Sequence, residues 1–142
     1  MKALTAAEVI TLLNLEPHIE GGFYKQTFAD KPGANGTPLS TAIYYFLENR
    51  GQNSWHRLDT VEVWHWYAGA PMLIRASRDG KTVVESTLGP DIAAGARPQV
   101  VIPANAWQRA RSLGDWSLAG CTVSPGFQYS KFEQAPPGWE PG

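Results

Sequence analysis

The sequence predicts an all-β domain preceded by one short N-terminal helix, and two observations support this. About eight to ten short segments rich in β-branched and aromatic residues alternate with turn signals along the chain. The composition agrees, because the 142 residues include 14 Gly, 11 Pro, 6 Trp, 5 Tyr and 5 Phe. Short strands separated by Gly-rich and Pro-rich turns are typical of a β-sandwich or a β-barrel.

The predicted helix covers about residues 5–14. Thr5 and Glu8 have the spacing of a capping box, and the apolar residues that follow recur every three or four positions. Asn14 and Pro17 end the pattern. We expect this helix to serve packing rather than chemistry.

The whole chain, residues 1–142, is predicted to form a single domain, with the β-fold covering about residues 19–133. Residues 134–142 contain three prolines and two glycines and are expected to form a loose tail. A chain of this length buries roughly two thirds of the surface that it exposes when unfolded, which is enough for a core without disulfides.

Charge and composition exclude several classes of partner. The net charge is -1 and no basic stripe is present, so nucleic acid is not expected. No apolar run is long enough to span a bilayer, and the N-terminus lacks a signal-peptide pattern. Cys121 is the only cysteine, which fits a reducing, cytoplasmic setting, and we expect it to be a small buried apolar group.

Residues 54–69 (SWHRLDTVEVWHWYAG) hold the densest group of chemically useful side chains. Period-two alternation predicts two neighbouring strands joined at residues 59–60, with His56 on the first. On the second strand, Glu62, Trp64 and Trp66 share one face. If His56 and Glu62 both point inward, an imidazole and a carboxylate meet in a cavity walled by indoles, as in a small-molecule site.

The opposite face of this stretch carries His65 and Tyr67, and Trp55 is expected to join them. Exposed aromatic side chains in one row suggest a surface that a partner covers. We therefore predict a homodimer, and we expect His65 to lie outside the ligand site.

The spacing of this stretch resembles the first motif of the cupin superfamily, which is Gly, five residues, His-x-His, three or four residues, Glu, six residues, Gly. Here His56, Glu62 and Gly69 keep that spacing, whereas Leu58 replaces the second histidine. Gly51 stands four residues before His56 rather than five.

The second cupin motif, Pro-x-Gly, two residues, His, is present in altered form. Pro103 is kept, Asn105 replaces the glycine and Gln108 replaces the histidine. Together with HIEGGFYKQTF, RPQVVIPANAWQRA and GCTVSPGFQYSKFE, the chain resembles the fifth numbered cupin family, an uncharacterised branch of small cupins, over nearly its whole length. The resemblance implies a jelly-roll barrel (double-stranded β-helix) after a helix, a homodimer, and a fold similar to metal-free sugar-nucleotide epimerases.

By this resemblance a metal, if present, would be held by His56, Glu62 and Gln108. One imidazole, one carboxylate and one neutral amide oxygen are a weak set for a divalent transition metal. We therefore expect no cofactor, and a divalent metal is possible but disfavoured. The alternative is a hydrogen-bonded pair of His56 and Glu62 at the position that the metal ion occupies in metal-binding cupins, with Gln108 donating to Glu62 or to a ligand.

Without a metal, His56 beside Glu62 is the arrangement of a general base. The metal-free epimerases that the chain resembles use a histidine and a tyrosine, and Tyr24, Tyr44 or Tyr129 could supply the opposing acid. The catalytic candidates are His56, Glu62 and Tyr24.

Further residues are candidates for ligand contact because they are aromatic or polar and lie near these motifs. They are Glu20, Lys25, Trp64, Trp66, Trp107 and Gln108. His18 is expected to be a loop histidine.

Three functions remain open at this point. The first is an isomerase- or epimerase-like enzyme acting on a carbohydrate or sugar nucleotide, the second is a metal-dependent cupin enzyme, and the third is a non-catalytic small-molecule-binding or storage-like module. In the first and third cases the expected partner is a small, polar or sugar-like ligand.

Overall fold

The computed structural model describes residues 2–142, and within them eleven strands form two antiparallel sheets. After helix α1 (Ala6–Leu12), the strands are β1 (Glu16–Pro17), β2 (Phe23–Ala29), β3 (Thr41–Glu48), β4 (His56–Leu58), β5 (Glu62–Gly69), β6 (Met72–Ser77), β7 (Val84–Leu88), β8 (Gln99–Ile102), β9 (Trp107–Ser112), β10 (Trp116–Val123) and β11 (Phe132–Gln134). The six-stranded sheet has the order β1-β2-β3-β10-β5-β8, and the five-stranded sheet has the order β11-β4-β9-β6-β7. The prediction of an all-β fold after one helix is confirmed.

Helix α1 is shorter than predicted, but its capping box is present. The backbone N–H of Glu8 donates to Thr5 Oγ1 at 3.2 Å, and the backbone N–H of Thr5 donates to Glu8 Oε1 at 3.1 Å. The buried Val9 packs with Phe46 against the six-stranded sheet. Asn14 has a φ of 55°, which ends the helical backbone. Across residues 2–142 no helix combines the length and apolar character needed to cross a membrane.

The two strands of the 54–69 stretch do not pair with each other, contrary to the prediction. β4 belongs to the five-stranded sheet, where His56 lies opposite Gln108 of β9 and Gln134 of β11. β5 belongs to the six-stranded sheet, between β10 and β8. His56 and Glu62 therefore come from opposite sheets and line one cavity between them.

The space between the sheets is packed along most of its length. Its core includes Tyr45, Trp64, Met72 and Ile74, and the rings of Tyr45 and Trp64 meet edge to face with centroids 5.5 Å apart. The packing is interrupted at one end of the six-stranded sheet, where β3 begins, β10 ends and β5 begins, and a cavity lies there.

Strand β9 was not predicted. It follows a turn in which Asn105, the residue that replaces the glycine of the second cupin motif, adopts a φ of 67°. Residues 107–112 then run through the five-stranded sheet between β4 and β6.

The expected loose tail is bound to the outside of the five-stranded sheet. Trp139 packs against Trp107 and Trp55, with ring centroids 4.9 and 6.0 Å apart. Glu140 accepts from Arg109 Nη1 at 2.8 Å and from Trp55 Nε1 at 3.0 Å. Trp55 is 2% exposed, so it does not belong to the exposed row with His65 and Tyr67 as predicted.

Candidate functional site

A cavity of about 150 Å³ opens between the two sheets at the unpacked end. Its polar lining includes His18, Glu20, His56 and Glu62, which come from both sheets and from the segment before β2. Apolar and aromatic side chains supply most of the remaining wall. This composition is that of a small-molecule site, in which a few polar groups converge within an apolar lining.

Glu20 is held in the cavity by an irregular backbone. Gly21 and Gly22 have φ values of 104° and 71°, and a Cβ on Gly22 would lie 2.5 Å from a carbonyl oxygen of β3. The Tyr45 hydroxyl donates to the Gly21 carbonyl at 2.5 Å, and the Ser54 N–H donates to the Glu20 carbonyl at 2.8 Å. The two glycines therefore allow a close approach that fixes the Glu20 carboxylate.

His56 pairs with Glu20 and not with Glu62, which corrects the sequence prediction. Its Nε2 lies 2.9 Å from Glu20 Oε2, and its Nδ1 donates to the Ser54 carbonyl at 2.9 Å. The Nε2 contact is an ion pair rather than a well-aligned hydrogen bond. Burial disfavours the imidazolium, but the charge of Glu20 and the surrounding acceptors outweigh it and raise the pKa of His56 to about 9. His56 is thus a fixed cation with both nitrogens engaged.

Glu62 is positioned by a relay through Gln108. Gln108 Nε2 donates to Glu62 Oε1 at 2.9 Å, and Gln108 Oε1 accepts from Trp64 Nε1 at 2.9 Å. Because an indole N–H can only donate, the orientation of the Gln108 amide is fixed. Glu62 Oε2 accepts no hydrogen bond from the described chain, residues 2–142.

The pKa of Glu62 is raised to about 7. Burial is the largest cause, and the nearby Glu20 charge adds to it, while His56 and the hydrogen bond from Gln108 act in the opposite direction. A carboxyl group with this pKa exists in both protonation states near neutral pH.

His18 lines the cavity, although the sequence suggested only a loop histidine. Its Nδ1 accepts the backbone N–H of Glu20 at 3.1 Å, which leaves the proton of the neutral ring on Nε2. Burial lowers the pKa of His18, so the ring stays neutral at pH 7. Its position two residues before Glu20 was the signal that could have revealed it.

Tyr24 and Tyr129 form the more exposed side of the cavity, and their hydroxyl oxygens lie 3.4 Å apart. The hydrogen bond with Tyr129, together with partial burial, raises the pKa of Tyr24 well above its usual value. Tyr24 therefore keeps its proton and acts as a hydrogen-bond donor rather than as a phenolate.

The segment after β10 supplies an aromatic wall, of which only Tyr129 was a candidate from the sequence. Phe127, Tyr129 and Phe132 all line the cavity. The Phe132 ring stacks on the His56 imidazole, with centroids 5.5 Å apart and an interplanar angle of 27°. These residues lie mostly in irregular backbone, where the period-two alternation of strands does not predict which way a side chain points.

Several predicted site residues do not line the cavity. Lys25 alternates along β2 with Tyr24, so it points to the other side of the sheet. Trp66 packs against the apolar core, and Trp107 lies on the outer side under the C-terminal tail. Trp64 and Gln108 do not line the cavity either, and they are linked to it by the hydrogen bond from Gln108 to Glu62.

The side chains do not fit a divalent transition metal. Leu58 occupies one position of the cupin ligand set, and the oxygen of Gln108 is turned towards Trp64. His56 Nε2 faces Glu20 instead of an open position. Among residues 2–142 no three His, Cys, Asp or Glu side chains are grouped so that they could hold a metal ion.

Two antiparallel sheets with a buried polar site between them define a cupin-type jelly roll. The profile described as Cupin_5, Cupin superfamily (DUF985), matches residues 7–135, and the chain belongs to this family. No protein with a curated description matches the chain.

Solved structures support the same assignment. A Shewanella oneidensis protein known from an X-ray crystal structure is 33% identical, with a TM-score of 0.89 over 94% of this chain and 85% of that chain. A hypothetical protein from Leishmania major is 26% identical, with a TM-score of 0.82 over 92% of this chain and 86% of that chain. Oxalate decarboxylase from Bacillus subtilis is 9% identical, with a TM-score of 0.64 over 83% of this chain and 29% of that chain. This last likeness shows the fold alone.

Proposed function

We propose that the chain binds a small polar ligand in the cavity and moves a proton on it, as an isomerase- or epimerase-like enzyme acting on a carbohydrate-like molecule. The observation that carries this proposal is Glu62, a buried carboxyl group with a pKa of about 7 and one oxygen free to meet a ligand. A group that titrates near the working pH can both take up and return a proton.

In this proposal the base is Glu62 rather than His56. His56 has no lone pair available, because Nδ1 donates to a carbonyl and Nε2 faces Glu20. Its positive charge instead favours the ionised form of Glu62. His56 is therefore a positioning and electrostatic group.

The proposed chemistry is proton transfer next to a carbonyl. Glu62 takes the proton from the adjacent carbon, and the electrons of the C–H bond form the C=C bond of an enediolate whose charge rests on the former carbonyl oxygen. Tyr24 and the Nε2–H of His18 are the available donors to that oxygen. Return of the Glu62 proton to the former carbonyl carbon, with the hydroxyl proton of the first carbon passing to the former carbonyl oxygen, gives an isomer. Protonation of the first carbon from the opposite face by solvent water, with the Glu62 proton released to solvent, gives an epimer.

The size of the cavity limits the ligand. A volume of about 150 Å³ is comparable to an engineered cavity that binds benzene, and it is below the ~300–1,000 Å³ of pockets for larger ligands. A sugar-sized ring is near the upper limit of what can enter. The nucleotide of a sugar nucleotide would have to remain outside, beyond Tyr129.

Hydrogen exchange with solvent tests the proposal. Aldoses, ketoses and amino sugars would be incubated with the protein in D₂O, and loss of the C–H signal next to the carbonyl would be followed by proton NMR. We expect exchange with at least one of these sugars, loss of exchange in Glu62→Gln and wild-type exchange in His65→Ala.

A non-catalytic binding module is the second candidate, favoured by the engagement of both His56 nitrogens. Sugars that bind in calorimetric titration but never exchange their C–H protons would reject proton transfer and support this alternative.

A further inference from the structure

The charges that line the cavity are unbalanced. Glu20 and Glu62 face it, whereas no Arg or Lys of residues 2–142 lines it. The cation that does line it, His56, is already in contact with Glu20. Ionised Glu62 is therefore left without a counter-charge of its own.

We infer that the cavity accepts a small organic cation, with a protonated amine at Glu62 and a hydrocarbon part against Phe127 and Phe132. The inference rests on the proposed function only in placing the ligand in this cavity, and it does not require proton transfer.

The free polar atom in the cavity is an acceptor. Glu62 Oε2 accepts no hydrogen bond from residues 2–142, whereas Glu20 Oε2 is already in contact with His56 Nε2 at 2.9 Å. An ammonium group offers donors and no acceptor, so it matches Glu62 Oε2. A carboxylate or phosphate would instead bring a like charge towards two carboxylates.

The walls also suit an organic cation. The aromatic rings of Phe127, Tyr129 and Phe132 line the cavity, and aromatic faces attract cations that approach them. Leu58 and Val123 add aliphatic surface. A hydrated metal ion gains little from such walls, whereas an alkylammonium ion is complementary to both the walls and the carboxylates.

Amine binding should depend on the ionisation of Glu62. The titratable groups around Glu62 are His18 and Glu20 from the segment before β2, Tyr45 of β3, His56 of β4 and Cys121 of β10. Burial raises the pKa values of Tyr45 and Cys121, and His56 has a pKa of about 9, so these groups keep their protons between pH 6 and 8. Within that window we expect the affinity for an alkylamine, which remains protonated, to rise about tenfold as Glu62 loses its proton.

Three probes of equal shape but different charge test the inference. Cyclohexylamine, cyclohexanol and cyclohexanecarboxylate would be titrated into the full chain by calorimetry at pH 7.5. We expect cyclohexylamine to bind at least tenfold more tightly than cyclohexanol, and cyclohexanecarboxylate not to bind. Cyclohexanol affinity should change little between pH 6 and 8.

Two variants locate the effect. Glu62→Gln should make the amine and the alcohol bind equally, whereas the matched control Glu133→Gln, at an exposed carboxylate paired with Arg57, should keep the preference for the amine. If Glu62→Gln does not fold, the pH dependence of the wild-type protein decides: a flat amine affinity from pH 6 to 8 overturns the inference.

Other outcomes would also overturn it. These are equal or tighter binding of cyclohexanol or cyclohexanecarboxylate, no binding of cyclohexylamine, or an amine preference that survives Glu62→Gln. Stoichiometric binding of Zn²⁺ or Mn²⁺ that blocks the amine would assign the negative site to a metal instead. Amine preference without C–H exchange would reject only the proposed function, and exchange of neutral sugars without amine preference would reject only this inference.

Discussion

The inner and outer faces of β5 carry similar residue types in different surroundings. On the inner face, Trp64 is 2% exposed and its N–H donates to Gln108, which in turn donates to Glu62. On the outer face, Tyr67 is 49% exposed, and His65 stacks on it and contacts Thr122 and Gln99 at 3.1 and 3.5 Å. Aromatic and titratable side chains thus alternate along one strand, but only the inner ones depend on specific partners.

Substitutions on the two faces should therefore differ in their effect on stability. A buried polar group that loses its partner cannot replace it with water, so the desolvation cost remains. A group on the outer face exchanges one partner for solvent at little cost.

Glu20→Ala should give the largest loss of stability. It leaves the buried His56 without its counter-ion, and breaking a buried pair costs about 3–5 kcal/mol. The measurement is urea unfolding at pH 7 followed by circular dichroism. Glu133→Ala breaks an exposed pair with Arg57 and should cost about 1 kcal/mol or less. Similar losses for both variants would show that burial does not distinguish these pairs.

Gln108→Leu should have the next largest effect. It leaves Glu62 Oε1 without a donor and Trp64 Nε1 without an acceptor, with an expected cost of about 1–3 kcal/mol. Gln99→Leu on the exposed edge of β8 should change the free energy of unfolding by about 0.5 kcal/mol or less. Equal midpoints in chemical denaturation for the two variants would contradict the relay.

The contributions of Glu62 and His56 to stability should fall as the pH rises from about 4.5 to 9, and they outnumber the opposite contribution of His18, whose pKa is lowered by burial. The pKa of Glu62 is raised from 4.5 to about 7, so the folded state holds an extra proton in that range and loses the associated stabilisation as pH approaches 7. The pKa of His56 is raised from 6.5 to about 9, so its contribution is present below pH 6.5 and is lost as pH rises through 9. The melting temperature of the wild type should decline across this pH range, and Glu62→Gln should reduce the decline between about pH 4.5 and 7. A profile in Glu62→Gln identical to that of the wild type would show that another group titrates there.

Substitutions on the outer face should change the stability of the folded chain least. His65→Ala should stay within about 0.5 kcal/mol of the wild type and leave ligand affinity unchanged. We propose that a second copy covers this face, so Tyr67→Asp should weaken association without unfolding the chain. Multi-angle light scattering at micromolar concentration checks this, and a monomeric wild type would reject the homodimer.

The sequence predicted the fold more fully than the site. Most strands could be predicted from period-two alternation and turn residues. Strand β9 was not predicted, because its inward side chains are small or polar and show no apolar period: Gln108, Ala110 and Ser112. Glu20, Tyr24 and Glu62 were predicted near the ligand and do line the cavity. The partner of His56 could not be predicted, because alternation sets the face of a strand and not the sheet to which it belongs.

The placement of β4 has a consequence for the order in which the protein assembles. This three-residue strand is flanked by β9 and β11, which both come much later in the chain. Closing such long loops is slow, so strands joined by distant contacts form late in folding. In the unfolded chain, before Glu20 is held 2.9 Å from its ring, His56 titrates as an ordinary histidine, with a pKa near 6.5. Near pH 7, His56 is therefore mostly neutral in the unfolded chain and protonated in the folded protein.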